Sequence, residues 1–247
     1  MNKVAIEFKA VSKEYPLYSH LAGGLKGFIF NFPRSLKGIT RERFTALKDI
    51  SFSIHQGETV AFMGRNGAGK STTLGLMAGV LKPSSGQVMI SGRVSPLLEL
   101  GGGFHSDLTG RENIRLNGVL LGLTRKQVEA REAEIIEFSE LGEFIDQPIR
   151  MYSSGMLSRL GFSVVAHLEP EILLIDEILA VGDIQFQEKC KKKIQEFKKN
   201  GVTIILVSHS IGDVRALCDR VIWIENHIVR NDGPTSEVLP QYEQFFS

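Results

Sequence analysis

Two kinds of apolar run alternate along the chain. In Thr59–Met63, Ile172–Ile175 and Val202–Val207 nearly every position is apolar. A strand with no polar face predicts burial on both sides, as in a parallel sheet. Residues 3–9 and Ile50–Ile54 instead alternate apolar with polar, the half-buried pattern. Residues 3–9 read as an edge strand. Gln87–Ile90 follows the turn Pro83-Ser-Ser-Gly86, and Arg220–Glu225 opens a terminal hairpin. Thr72–Ala78 reads as a helix after the Thr59–Met63 strand. From about 97 to 165 the pattern is helical, with charged faces over Arg125–Glu140 and a helix from about Leu157. Strand–helix alternation around an inserted helical block predicts an α/β core with a helical subdomain.

Composition adds limits. The 247 residues suffice for one large domain with a subdomain. A net charge of +1 gives no general basic footprint for nucleic acid, so no nucleic-acid partner is expected. Cys190 and Cys218 fit no metal or redox spacing, which suits a reducing compartment. The N-terminus interleaves charges with its apolar residues, unlike a secretory signal. No apolar segment reaches the ~18 residues of a membrane span. A soluble chain is expected, with membrane association only through a partner or a surface patch.

The candidate chemistry sits where a strand meets a helix. Gly64-Arg-Asn66-Gly67-Ala-Gly69-Lys70-Ser71-Thr72 follows the buried strand and opens a helix. Glycines let the backbone wrap so that amides point at phosphate oxygens. The helix N-terminus adds positive potential there. Lys70 can reach the β- and γ-phosphates, and the Ser71 hydroxyl can ligate Mg²⁺. Asp176 ends a second buried strand and can hold Mg²⁺ through water. Glu177, just beyond, is placed to orient and deprotonate an attacking water. His209 follows the Val202–Ser208 strand, expected beside the Asp176 strand, and can polarise the γ-phosphate or Glu177. Ser153, Ser154 and Gly155 precede a helix and offer a second anion-binding N-terminus, or an ordinary cap.

In this order the motifs resemble those of the nucleotide-binding subunits of ABC transporters, over essentially the whole chain. Gly64–Ser71 is similar to the Walker A loop, and Ile172–Glu177 to Walker B with the catalytic glutamate. Tyr152–Met156 stands where the Leu-Ser-Gly-Gly-Gln signature does. Leu179–Asp183 is similar to the D-loop, and His209 to the switch histidine. The resemblance implies a P-loop NTPase (RecA-like) core, residues 1–96 and 166–247, with an antiparallel β subdomain and a helical subdomain at 97–165. It implies ATP and Mg²⁺ as ligands, with Lys70, Glu177 and His209 catalytic and Asp183 beside the nucleotide. Tyr15 falls where an aromatic stacks on adenine, with Tyr18 and Phe44 as alternatives. Glu99 stands where the family has the Q-loop glutamine. The resemblance further implies a head-to-tail homodimer, each ATP lying between Lys70 of one protomer and Ser153/Gly155 of its partner.

Four segments together resemble the branch that exports bacterial surface polysaccharides: O-antigen, capsule or teichoic acid. They are Tyr-Ser-Ser-Gly-Met, the Leu-Glu-Leu-Gly-Gly-Gly-Phe-His run that holds Glu99, Leu-Thr-Gly-Arg-Glu-Asn and Val-Gly-Asp. Members of the branch pair with a separate permease, so two transmembrane permease subunits and a lipid-linked polysaccharide are the expected partners. The expected location is the cytoplasmic face of the bacterial inner membrane. The chain ends at Ser247, soon after the last predicted elements, so a C-terminal carbohydrate-binding domain is expected to be absent. Residues 16–44 read as a basic and aromatic insertion, with Lys26, Arg34, Lys37, Arg41 and Arg43 against Glu42 alone. It suits contact with inner-leaflet lipid, or equally a solvated loop anchored to the core. Phe104 is a candidate knob for the permease, or a packing residue of the helical subdomain. The alternatives for the whole chain are another ABC exporter (teichoic acid, capsule, lipid or drug) and a non-transport ABC ATPase.

Overall fold

The central strands divide their side chains between two cores. Val60 and Phe62 of β3 (Thr59–Met63), Ile172 and Leu174 of β6 (Ile172–Asp176), and Ile205 and Val207 of β7 (Thr203–Val207) enter one core. Their neighbours Ala61, Met63, Leu173, Ile175, Ile204 and Leu206 enter the other. The period of two along a strand thus yields two buried faces, and the sequence reads as unbroken apolar runs. The computed structural model describes residues 3–16, 43–97, 102–176 and 182–246.

The six-stranded sheet has the order β5-β6-β7-β3-β8-β9, with β5 at Val94–Leu97, β8 at Arg220–Glu225 and β9 at Ile228–Pro234. All its pairings are parallel except the β8–β9 hairpin. A separate antiparallel sheet has the order β2-β1-β4, from β1 (Val4–Pro16), β2 (Arg43–His55) and β4 (Ser85–Ile90). It closes one core together with α1 (Lys70–Met77). The other core lies under α2 (Gly110–Leu120), α3 (Arg125–Ser139), α4 (Ser154–Ala166), α5 (Ile184–Lys199), α6 (Ile211–Leu217) and α7 (Thr235–Phe246).

Several sequence expectations are corrected. The first strand is the middle of its sheet, not an edge, because alternation reports a half-buried face and says nothing about neighbours. Helix α1 begins at Lys70 rather than Thr72, and α4 at Ser154 rather than Leu157. Both starts follow directly on a residue, Gly69 or Ser153, that lets helical geometry begin at once. Pro16, Arg43 and Phe44, at the margins of the expected insertion, belong to the β1–β2 ladder. Strand β5 and helix α7 are not visible in the sequence pattern. Pro96 masks the first, and Pro240 sits inside the second. Both cysteines are free and buried, and burial pushes each thiol up to about 12.

Polar side chains fix the helical block. Asn113 is fully buried at the start of α2. Its amide donates toward the carbonyls of His105, Leu108 and Thr109 at 2.9–3.1 Å, and its oxygen accepts from the His105 amide at 2.7 Å. Two hydrogens are shared among three acceptors, which draws the loop into a turn. Glu132 of α3 accepts from Arg115 at 2.6 Å and Arg111 at 3.0 Å. Arg115 first, then Arg111, hold its carboxyl below the ordinary 4.5.

Asn113→Leu should strand these loop groups and cost about 2–3 kcal/mol, read by urea unfolding. A carboxyl whose folded pKa is lowered contributes fully above its unfolded value and loses that contribution as pH falls through the folded one. Glu132→Gln should therefore lower the melting temperature at pH 7, and the gap from the parent should narrow as pH falls below the ordinary carboxylate value and through the lowered folded one.

Candidate functional site

The loop from β3 to α1 is drawn against both sheets. Gly64 and Gly69 adopt φ of +149° and +112°. A Cβ on Gly64 would lie 2.1 Å from the Ile224 carbonyl oxygen of β8, and one on Gly69 would lie 2.5 Å from the Ala46 oxygen of β2. Only glycine fits such approaches. Lys70 is buried, and its ammonium donates to the carbonyls of Gly64 at 2.7 Å and Arg65 at 3.0 Å. Asn66, Gly67 and Ser71 are exposed, and Thr72 is half-buried.

The N-terminus of α1 differs from its neighbours. Side-chain oxygens of Thr109, Thr124, Ser153, Asp183 and Ser210 cap α2 to α6. Helix α1 has Gly69 as its cap, no side-chain capping bond and no acidic residue in its first turn. An end without a side-chain cap leaves its leading amides and the positive end of its dipole suited to an anion.

Strand register brings other motif residues to the same sheet edge. Phe62, Val207 and Asp176 lie in line across β3, β7 and β6. Gly64, His209 and Asp176 therefore stand at the carboxyl ends of adjacent parallel strands, where such sheets bind ligands. Ser208 is buried and its hydroxyl accepts from the Ser210 amide at 3.0 Å, and His209 is exposed. Tyr15 and Phe44 are direct cross-strand partners. The Phe44 ring meets His227 edge-on at 5.4 Å, and the His227 Nδ1 lies 3.2 Å from the Ala46 oxygen. Both aromatics thus lie near the strand that touches Gly69. Glu99, Glu177 and Tyr18 lie outside the described residues.

The signature segment is held from beneath. Tyr152 is buried, and its hydroxyl donates to the Phe144 carbonyl at 2.6 Å. Ser153 accepts from the Met156 amide at 3.2 Å, while Ser153 and Ser154 are exposed and Gly155 is half-buried. Sequence reasoning missed Arg159 on the same helix. It pairs with Asp183 and with Glu140 (3.2 Å), and its guanidinium lies 4.9 Å over the Phe186 ring. Asp183 caps α5 through the Phe186 amide at 2.9 Å, and that bond first, then Arg159, keeps its carboxyl below the usual range. The sequence offers only a cation one helical turn past Gly155, and its acidic partners meet it through the fold. Phe104 is half-buried and packs against the helical-side core.

The sequence model of the ABC transporter family matches residues 47–180. The chain belongs to the ABC transporter family. This ABC subunit is 59% identical over 239 residues to the O-antigen export system ATP-binding protein RfbB of Klebsiella pneumoniae, covering 97% of each chain. It is 48% identical over 242 residues to the teichoic acids export ATP-binding protein TagH of Listeria innocua, covering 98% of this chain and 70% of that one. Its fold is that of the ATP-binding cassette MJ0796, solved as a dimer bound to ADP and Pi. The TM-score is 0.74 at 22% identity, over 93% of this chain and 98% of that one. The matched ABC domain binds ATP.

Gly69→Ala in this ABC subunit should push the loop off β2. Equilibrium binding of a fluorescent ATP analogue should be lost at concentrations that saturate the parent, with about 2–4 kcal/mol of stability.

Proposed function

We propose that this chain is the ATP-hydrolysing subunit that powers export of a lipid-linked surface polysaccharide, O-antigen-like, through a separate permease. The observation that carries the reading is the uncapped α1 N-terminus with Lys70 folded over it, in a chain 59% identical to an O-antigen export ATP-binding protein. In this reading the α1 amides and Lys70 hold the β- and γ-phosphates. Ser71 and Asp176 supply oxygen donors, the hard-ligand set that suits Mg²⁺ sharing phosphate oxygens and waters. Mg²⁺ would neutralise charge on the phosphates. Glu177 takes the proton of the attacking water, and His209 polarises the γ-phosphate. Tyr15, or in its place Tyr18 or Phe44, stacks on adenine, and Asp183 orders the segment leading into α5.

A head-to-tail homodimer would place Ser153, Ser154 and Gly155 of one protomer against the γ-phosphate held by its partner. ATP then favours the closed pair, and its loss reopens it. Two copies of the permease and the inner face of the cytoplasmic membrane complete the assembly. Among the described residues no helix is long and apolar enough to cross a membrane. Residues 17–42, the greater part of the lipid-facing insertion in this reading, lie outside the described residues. Likeness to TagH favours a second reading, a teichoic acid-type polymer as cargo.

Glu177→Gln, expressed in the source cell, should accumulate lipid-linked glycan inside and deplete it at the surface, with nucleotide binding retained. Analysis of the accumulated glycan separates an O-antigen-like polymer from a teichoic acid-type one. Normal surface glycan would refute polysaccharide export.

A further inference from the structure

The phosphate loop is also touched by the last helix. Trp223 of β8 is buried and stands in register with Met63, the residue before Gly64. Tyr242 and Phe245 of α7 meet the Trp223 ring edge-on at 5.3 and 5.1 Å, and Phe246 packs 4.7 Å from Tyr242. Arg230 closes the outer side, its guanidinium 4.7 Å over Trp223 and 4.0 Å over Phe245. On the loop side, the Arg65 guanidinium lies 5.0 Å over the Phe246 ring. Tyr242 lies beside the Gly64 backbone amide.

We propose that the aromatic face of α7 braces the phosphate loop through Arg65, making Phe246 and Tyr242 positioning residues for nucleotide binding. The inference rests on nucleotide binding by this loop. Arg65 is the link because its backbone is already part of the loop's closure. Its carbonyl accepts from Lys70 at 3.0 Å and from the Ala68 amide at 3.1 Å. A shift of the Arg65 peptide therefore moves both the lysine ammonium and the wrap of the loop. Its side chain is exposed, and the Phe246 ring restrains it. Phe246 is 36% exposed, its ring packed on Tyr242 and Phe245 as well as under Arg65.

The test is a double-mutant cycle on the full chain, read by equilibrium binding of a fluorescent ATP analogue with Mg²⁺. Arg65→Ala and Phe246→Ala should each weaken binding about fivefold, the scale of one cation–π contact, and the double variant no further. Phe246→Leu keeps apolar bulk but loses the ring face, and should bind as weakly as Phe246→Ala. Parental binding by either Phe246 variant, or effects that multiply in the double variant, would overturn the proposal. A parent chain that binds no nucleotide would remove the nucleotide reading and the proposal together.

Discussion

Close approach of backbone to backbone at the phosphate loop is the constraint on which the structure turns. Gly64 is pressed against β8 of the parallel sheet and Gly69 against β2 of the antiparallel sheet. The loop is thus the seam between the two sheets as well as the mouth of the site. Helix α1 leaves that seam and fills the core between them. Sheet packing and nucleotide chemistry consequently set the same backbone path. A side chain at either glycine would disturb both.

The remaining helices show the complementary logic. Where no ligand is expected, a side chain satisfies the first-turn amides, as Thr109 does with its reciprocal bond to Glu112. Where a phosphate is expected, no side chain competes for the amides. Ser153 stands between these cases, capping its own helix while staying exposed. A hydroxyl can serve both roles because its oxygen accepts from the helix while its hydrogen can still be donated.

Local chemistry was the legible part of the sequence. The loop glycines, Lys70, and Asp176 at the end of a buried run were readable because each needs a specific residue type beside a strand. Parallel pairing was readable from runs apolar on both faces. Arg159 was not, since its partners Glu140 and Asp183 lie far along the chain and meet it only through the fold. Nor was the central place of β1, because its alternation reflects one buried face and is silent on lateral pairing. Helix α7 was hidden by Pro240, although its aromatic residues follow a helical spacing around Trp223.

The pairing of Pro16 with Arg43 at the end of the β1–β2 ladder has a further consequence. The chain therefore leaves β1 at Pro16 and enters β2 at Arg43 at adjacent points. Doubling the length of a flexible connection between two fixed points costs only about 0.6 kcal/mol in closure entropy. The length and composition of the sequence joining those two points can therefore drift while the β1–β2 ladder is kept. Any specialisation carried there is, in engineering terms, a replaceable module whose mounting point lies next to Tyr15 and Phe44, at the end of a ladder whose β2 strand touches the nucleotide loop.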